Sequence, residues 1–178
     1  FYGQGFSEIL QKSALLTKGC TIYAYQVANP SDFGVVELDS NGKVLSIKEK
    51  PENPKSNFAV TGLYFYDNNV IKFAKSVKPS ARGELEISSI NELYLKQGDL
   101  TVQLLGRGFS WLDTGTHSSI LEASQFIQTL EKRQGFKIAC LEEIAWRNKW
   151  ISSEQLIDNI NKGVKNDYFK YIAEILKD

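Results

Sequence analysis

Several residue types are scarce or absent in this chain of 178 residues, and each absence excludes a kind of site. One histidine and two separated cysteines, Cys20 and Cys140, nearly exclude a zinc site built from histidine and cysteine. We interpret the two thiols as buried and free in a reducing cytosol, with a structural disulfide as the alternative. Methionine is absent altogether, so we expect this chain to be a fragment of a longer translation product.

Charge and hydropathy exclude two further classes of partner. The 21 basic and 21 acidic side chains cancel, which predicts no long-range attraction to nucleic acid or to an anionic membrane. The apolar runs are too short to span a bilayer, and no signal peptide opens the sequence. We therefore expect a cytoplasmic protein with one domain, or one domain and a small appendage.

Hydrophobic periodicity predicts a mixture of helices and strands. Helices are predicted at 7–16, 68–77, 86–97 and 118–134, and strands at 20–27, 33–39, 43–51, 58–67 and 101–106. The Asn41-Gly42 pair is typical of a hairpin turn between the second and third of these strands. Three short helices, at 141–149, 152–162 and 167–177, follow with few strand-forming residues. The sequence therefore predicts an α/β fold with a mixed sheet over 1–138 and a small helical C-terminal subdomain over 139–178.

The segment RGFSWLDTG (107–115) raises the first functional question. It places Asp113 between the apolar pair Trp111-Leu112 and the pair Thr114-Gly115, just before a long predicted helix. One interpretation is a turn, because Asp and Gly are common in turns. The other is a metal or substrate ligand at the mouth of a site. We interpret the neighbouring His117 as part of the loop and cap of the helix, since no orienting carboxylate is evident.

Polar residues also interrupt or end the predicted strands. Gly34 in FGVVE could let a ligand approach the backbone, or could mark a β-bulge. Glu49 could accept hydrogen bonds from vicinal hydroxyls and Lys50 could hold a phosphate, or the two could be a solvated charge pair at a sheet edge. Because Pro51 follows, we expect extended backbone at Lys50, with the two side chains on opposite sides of the strand.

Two more segments have both a functional and a structural interpretation. In AVTGLYFY, the backbone at Thr61-Gly62 could face a small polar ligand, or the segment could be a core strand. In PSARGELEISSIN, Arg82 precedes a helix opened by acidic residues and could reach a phosphate, or could be a surface loop residue.

A family resemblance connects these segments. The sequence resembles bacterial glucose-1-phosphate thymidylyltransferases (dTDP-glucose pyrophosphorylases) in a series of segments that have the same order and spacing. These segments are FYGQGF, FGVVELD, KEKPENPKSNFAVTGLYFYD, PSARGELEISSIN, LGRGFSWLDTGTH, ILEAS and CLEEIAWRNKWI. The resemblance covers essentially the whole chain. It implies a mixed-sheet, Rossmann-like nucleotidyltransferase fold, truncated at its N-terminus. The missing part would carry the family's Gly-rich nucleotide loop and its first magnesium-binding aspartate.

The resemblance also implies roles for particular residues. The implied catalytic residues are Lys50 and Asp113, and Asp113 would also be the second Mg²⁺ ligand. The implied glucose-1-phosphate site consists of Gly34, Glu49, Lys50, Val60, Tyr64 and Arg82. Within it Glu49 would accept from glucose hydroxyls, while Lys50 and Arg82 would hold the phosphate. A regulatory nucleotide-sugar site at a subunit interface is implied at Gly3, Gly106, Arg107, Glu143 and Ile144. Ser118 stands where the family has Asp, and both residues cap helices.

The implied reaction joins dTTP and glucose-1-phosphate into dTDP-glucose and pyrophosphate. In the family it serves dTDP-rhamnose, lipopolysaccharide and cell-surface polysaccharide synthesis, in a cytoplasmic homotetramer without nucleic-acid or membrane partners. No general base is required, because the sugar phosphate is already largely dianionic; positioning and charge neutralisation would supply catalysis. We expect the fragment itself to be inactive. The alternative is a non-catalytic sugar-phosphate-binding or assembly module, whereas a phosphatase or glycosidase using Asp113 and Glu49 lacks an arranged nucleophile.

Overall fold

A five-stranded mixed sheet forms the centre of the first part of the chain. The computed structural model describes residues 1–177. The strands are β2 (Cys20–Gln26), β3 (Gly34–Leu38), β4 (Val44–Glu49), β5 (Phe58–Tyr66) and β6 (Leu100–Leu105), in the spatial order β4-β3-β5-β2-β6. The pair β2–β6 is parallel and the other pairs are antiparallel. The predicted α/β class with a mixed sheet is therefore confirmed.

A second, two-stranded sheet was not predicted. It pairs β1 (Tyr2–Gly3) with β7 (Phe109–Ser110) in antiparallel fashion. Two residues are too few to show the alternation by which a strand is recognised in a sequence. Gly3 lies so close to Phe109 that a Cβ atom on it would be 2.2 Å from the ring. This pairing therefore requires glycine at position 3.

The helices and strands agree closely with the sequence prediction. The helices are α1 (Phe6–Ala14), α2 (Asn69–Ser76), α3 (Ile87–Gln97), α4 (His117–Gln134), α5 (Leu141–Arg147), α6 (Ser153–Lys162) and α7 (Asp167–Ile175). Each predicted helix or strand ends within two residues of the observed bounds. His117 is the first residue of α4, directly after the N-cap Thr116, whose side chain accepts from the Ser119 amide. His117 was expected in the loop and cap before the helix, and the structure places it one residue later, inside the first turn of α4. No helix of residues 1–177 has the length and apolar character to cross a membrane.

Two compact units divide the chain. The first is Phe1–Trp111 and the second begins at Leu112. The second unit contains α4 as well as the three short helices, whose own core is formed by Cys140, Leu156 and Ile172. The subdomain boundary expected between residues 138 and 139 stays a prediction.

The core of the first unit is built around β2. Cys20, Ile22 and Ala24 are essentially inaccessible there and pack with Val36 and Ile47 of the neighbouring hairpin. Burial raises the pKa of the Cys20 thiol to about 12, so the thiol stays protonated. Both cysteines are free and buried, which confirms the interpretation that no disulfide links them.

The segment Thr61-Gly62 forms a bulge inside β5. The register between β2 and β5 shifts there, and Gly62 has a φ of 77°, a left-handed conformation that glycine adopts without steric cost. The buried Thr61 hydroxyl donates to the Tyr23 carbonyl at 3.1 Å. The structure therefore supports the core-strand interpretation of this segment.

Candidate active site

Several candidate sugar-binding residues lie close together around Gly34, where β3 begins and β4 ends. Gly34, the first residue of β3, pairs with Glu49, the last residue of β4. A Cβ atom on Gly34 would lie 3.1 Å from Glu49 Oε2, 3.2 Å from Ser88 Oγ and 3.8 Å from Val60 Cβ. A carboxylate, a hydroxyl and an apolar group therefore pack so closely around Gly34 that an added methyl group would be crowded. Three of the residues assigned to sugar binding, Gly34, Glu49 and Val60, lie together.

Ser88 also lies beside Gly34 and was not predicted from the sequence. It lies in the first turn of α3, is 5% exposed, and donates a hydrogen bond from Oγ to Glu49 Oε2. Within the described part of the chain no hydrogen bond reaches the second carboxylate oxygen, Oε1. The sequence did contain one indication of this contact, because Ser88 lies on the apolar face of a predicted helix. Burial of a hydroxyl without a hydrogen bond is destabilising, so a polar partner for Ser88 could have been expected.

Tyr64 contributes an aromatic group beside Glu49. Burial, together with the Glu49 carboxylate, raises the pKa of Tyr64 to about 12, so the phenol is neutral at physiological pH. Its ring stacks on Tyr66 at 5.7 Å, and Tyr66 stacks on Tyr94 at 5.5 Å. Three stacked tyrosine rings thus connect the surroundings of Glu49 to the buried face of α3.

Hydrogen bonds fix the rotation of α3 against the sheet. Asn91 Oδ1 accepts from the Tyr66 hydroxyl, and the Tyr94 hydroxyl donates to Asp67 Oδ1, both at 2.6 Å. The bond from Tyr94 and further backbone bonds lower the pKa of Asp67. Ser88, Asn91 and Tyr94 recur at a spacing of three residues and are all buried. Because they share one helix face, fixing Asn91 and Tyr94 also fixes Ser88.

Lys50 corrects one expectation. Extended backbone was expected ahead of Pro51, but the φ of Lys50 is 39°, in the left-handed region. The amide of Lys50 donates to the Phe33 carbonyl at 3.0 Å, and this tertiary bond overrides the local preference. Left-handed backbone at a non-glycine residue is strained and is concentrated at functional sites. In residues 1–177 the exposed ammonium of Lys50 forms no ion pair.

Arg82 lies in the turn between α2 and α3. Its guanidinium pairs with Glu84 at 3.1 Å and with Glu86 at 3.5 Å, and its side chain is 42% exposed. Ser80 also donates to Glu86, at 2.9 Å. A phosphate would have to replace or share these carboxylates, so the phosphate role of Arg82 stays a prediction.

Asp113 belongs to the second unit and is exposed. Its Oδ2 accepts from the Gly115 amide at 3.0 Å, so the turn interpretation of this segment is realised. No hydrogen bond to Oδ1 occurs within the described chain. Residues 1–177 contain no group of three or more His, Cys, Asp or Glu side chains that could hold a metal ion. Asp113 can therefore offer a metal one carboxylate, and its ligand role stays a prediction.

Trp111 anchors the segment that leads to Asp113. Its ring meets Phe33 edge-on, with centroids 5.1 Å apart, and Tyr25 at 6.3 Å. Phe33 is also the residue whose carbonyl accepts from Lys50. One aromatic cluster thus supports both the left-handed turn at Lys50 and the end of the first unit.

The residues assigned to a regulatory site are distributed over both units. Gly106 and Arg107 line a cavity of about 570 Å³ at the carboxyl ends of β2 and β6, together with Tyr25 and Phe58. The carboxyl ends of parallel strands are frequent ligand sites in α/β proteins. Gly3 is explained by its contact with Phe109.

Glu143 and Ile144 lie on α5 in the second unit. Both carboxylate oxygens of Glu143 have partners: Arg147 Nε donates at 2.7 Å and the Tyr171 hydroxyl at 2.6 Å. Burial and this carboxylate raise the pKa of Tyr171 to about 12. Ile144 is 41% exposed. A ligand at Glu143 would compete with internal partners, and the regulatory assignment stays a prediction.

Comparisons with known proteins identify the family. Residues 1–129 match the family model described as nucleotidyl transferase. Glucose-1-phosphate thymidylyltransferase of Neisseria meningitidis serogroup A is 57% identical over 99% of this chain and 62% of its own length. The protein of the same name from Mycobacterium tuberculosis is 51% identical over 99% of this chain and 61% of its own.

A solved structure gives the same result. This structure is a crystal structure of a protein described as a glucose-1-phosphate thymidylyltransferase from Bacillus anthracis, in complex with sucrose. The match covers 68% of the present chain and 47% of the Bacillus chain. The two structures agree with a TM-score of 0.57 and 41% identity. The chain spans about three fifths of the length of these curated relatives. The predicted resemblance is confirmed, and the chain belongs to the nucleotidyl transferase family.

Proposed function

We propose that this chain forms the sugar-phosphate-binding part of a glucose-1-phosphate thymidylyltransferase, which makes dTDP-glucose and pyrophosphate from dTTP and glucose-1-phosphate. The observation that carries the proposal is the convergence of Glu49, Ser88 and Val60 around Gly34, beside the exposed ammonium of Lys50. The names and identities of the relatives support the same activity.

The carboxylate of Glu49 suits the hydroxyl end of the substrate. Ser88 occupies Oε2, so Oε1 is left to accept from a sugar hydroxyl. Val60 and the neutral phenol of Tyr64 offer apolar surface to the sugar ring. A carboxylate between a donor and apolar walls binds a polyol better than it binds another anion.

Lys50 suits the phosphate end. It directly follows Glu49, and its left-handed backbone turns the chain at the point where β4 ends. A carboxylate and an unpaired ammonium on consecutive residues match a ligand with hydroxyls at one end and a dianionic phosphate at the other. Arg82 would add a second cation if the phosphate displaced Glu84 or Glu86 from its guanidinium.

Asp113 would hold Mg²⁺ in the assembled enzyme. Its Oδ1 is available and hard carboxylate oxygens suit this ion, which commonly uses one or two carboxylates together with waters and substrate phosphates. Bound Mg²⁺ would neutralise charge where two anionic substrates meet. The Gly115 amide donates to Oδ2 of Asp113 and so holds the carboxylate in place, while Oδ1 remains available to a metal ion.

The proposal extends to regulation and assembly. A nucleotide sugar would regulate the enzyme through Gly3, Gly106, Arg107, Glu143 and Ile144, and the cavity beside Gly106 and Arg107 supports a ligand there. We further propose a cytoplasmic homotetramer that supplies dTDP-glucose for dTDP-rhamnose and cell-surface polysaccharide.

Calorimetric titration tests the proposal directly. Glucose-1-phosphate is expected to release heat on binding, and Lys50→Ala is expected to weaken that binding about tenfold or more, because one phosphate contact is lost. Lys48→Ala is the matched control, since Lys48 is an exposed lysine two residues earlier, within β4. No heat with the unsubstituted chain, or equal effects of the two substitutions, would contradict the proposed site.

A non-catalytic sugar-phosphate-binding or assembly module is the second candidate. A binding module needs no metal centre, and residues 1–177 offer Asp113 as a candidate ligand but no group of three or more side chains that could hold a metal ion. Titration with dTTP and an assay for dTDP-glucose formation with both substrates and Mg²⁺ separate the candidates. Binding of glucose-1-phosphate without dTTP binding or product supports the module, whereas product formation excludes it.

A further inference from the structure

We infer that Ser88 is a positioning residue that determines which sugar hydroxyl Glu49 can bind, an inference that rests on the proposed function. Ser88 Oγ donates to Glu49 Oε2 and lies 3.2 Å from the position that a Cβ atom on Gly34 would take. Ser88 therefore contacts both the Glu49 carboxylate and the position beside Gly34.

The chemistry of the hydroxyl gives this contact a direction. A serine hydroxyl has one hydrogen and two acceptor sites, and here the hydrogen is given to Glu49. Hydrogen bonds to a carboxylate are shorter and stronger than bonds between neutral groups. Free glutamate side chains populate several rotamers, so this bond selects one orientation of the Glu49 carboxylate. Oε1 is then held in one direction and is available to accept from a sugar hydroxyl.

Ser88 is itself held firmly enough to act in this way. It is 5% exposed and shares the buried face of α3 with Asn91 and Tyr94, which are anchored by Tyr66 and Asp67. Because the helix cannot rotate without breaking those bonds, Ser88 cannot follow a displaced carboxylate. A group supported by packing and by such bonds holds its partner within the tolerance that recognition requires.

The expected consequence is selectivity among hexose 1-phosphates. A sugar that presents a hydroxyl to Oε1 keeps a charge-assisted hydrogen bond, whereas one that lacks it leaves a desolvated carboxylate unpaired. Without Ser88 the carboxylate can turn to another hydroxyl or to water, so the difference between such ligands should shrink.

The test measures affinities of glucose-1-phosphate and of its monodeoxy analogues by calorimetry. At least one analogue is expected to bind the unsubstituted chain tenfold or more weakly than glucose-1-phosphate. In Ser88→Ala the affinity for glucose-1-phosphate should fall about tenfold, and the discrimination against that analogue should shrink below about threefold. Ser89→Ala is the matched control, a serine one position further along α3, and should bind like the unsubstituted chain.

A second measurement shows whether Ser88 acts through Glu49. In a Glu49→Ala background, adding Ser88→Ala should change the affinity less than twofold, because the group that Ser88 positions is gone. Should Ser88→Ala fail to fold by near-ultraviolet circular dichroism, Ser88→Cys keeps the size with a weaker donor and is expected to show the same loss.

Each outcome has a distinct meaning. Additive effects of the two substitutions, or unchanged discrimination in a folded Ser88 variant, would overturn the inference for Ser88 alone. Failure of the unsubstituted chain to bind glucose-1-phosphate would instead overturn the proposed function. The two failures are therefore distinguishable in one set of titrations.

Discussion

Replacement of Gly34 by alanine is expected to weaken glucose-1-phosphate binding at least tenfold while leaving the chain folded. The added methyl carbon would lie 3.1 Å from Glu49 Oε2 and 3.2 Å from Ser88 Oγ. Both distances are shorter than an ordinary carbon–oxygen contact of about 3.5 Å, so the two polar groups must move by a few tenths of an ångström. The Glu49 carboxylate would thereby leave the position from which it is proposed to accept from a sugar hydroxyl.

The magnitudes separate binding from stability. Overpacking costs about 1–3 kcal/mol, and burial of one methyl group returns about 0.8 kcal/mol, so the free energy of unfolding should fall by no more than about 2 kcal/mol. Neither crowded atom belongs to the backbone and the φ of Gly34 is not left-handed, so no backbone strain is added to this cost. The affinity for glucose-1-phosphate should fall at least tenfold, which is about 1.4 kcal/mol.

Calorimetric titration and denaturant unfolding of the same preparations measure the two quantities. Gly108→Ala is the matched control, because no atom lies within 4 Å of the added Cβ position and its φ is ordinary. Undiminished glucose-1-phosphate binding by Gly34→Ala would refute the proposed sugar site beside Gly34 and Glu49. Loss of the fold would show instead that the crowded atoms belong to the rigid core.

Two other predictions follow from named contacts. Tyr94→Phe removes the hydrogen bond to Asp67 and should lower the free energy of unfolding by about 1–2 kcal/mol at neutral pH, measured by urea titration. Because the folded pKa of Asp67 is lowered, its contribution is present above the unfolded value of about 3.8 and is lost as pH falls through the folded value. The effect of Tyr94→Phe should therefore diminish in strong acid, and a pH-independent difference would contradict this account. Asp113→Asn can still accept from the Gly115 amide, so it should leave glucose-1-phosphate affinity within about twofold and lower Mg²⁺-dependent turnover about a hundredfold in the enzyme of full family length. Unchanged pyrophosphate release there would refute a metal role.

Local patterns were sufficient for most elements of the fold, because helices such as α3 and strands such as β5 carry many residues of regular spacing. The pair β1–β7 was missed since each strand has two residues and the partners are distant in sequence. The backbone of Lys50 was wrongly expected to be extended, because the bond to Phe33 is a tertiary contact that no local preference contains.

The candidate site shows the same division. Family resemblance named Gly34, Glu49 and Val60, and the structure places them together. Ser88 was not found, because its contact with Glu49 spans 39 residues and arises only when α3 packs beside the end of β4. Side-chain contacts between distant segments are set by packing, which a single sequence reveals only in part.

The position of β2 in the sheet has a consequence for how the chain folds. Its two neighbours come much later in the sequence, so that Cys20 is paired with both Tyr66 and Leu100. Strand β2 cannot complete its pairing on a ribosome until residues beyond 100 have emerged, whereas hairpin β3–β4 can close almost at once. Contacts between residues so distant in sequence slow folding. Until they form, the apolar strand β2 is unpaired and prone to aggregate. Aggregation during synthesis should therefore be governed by the residues of β2.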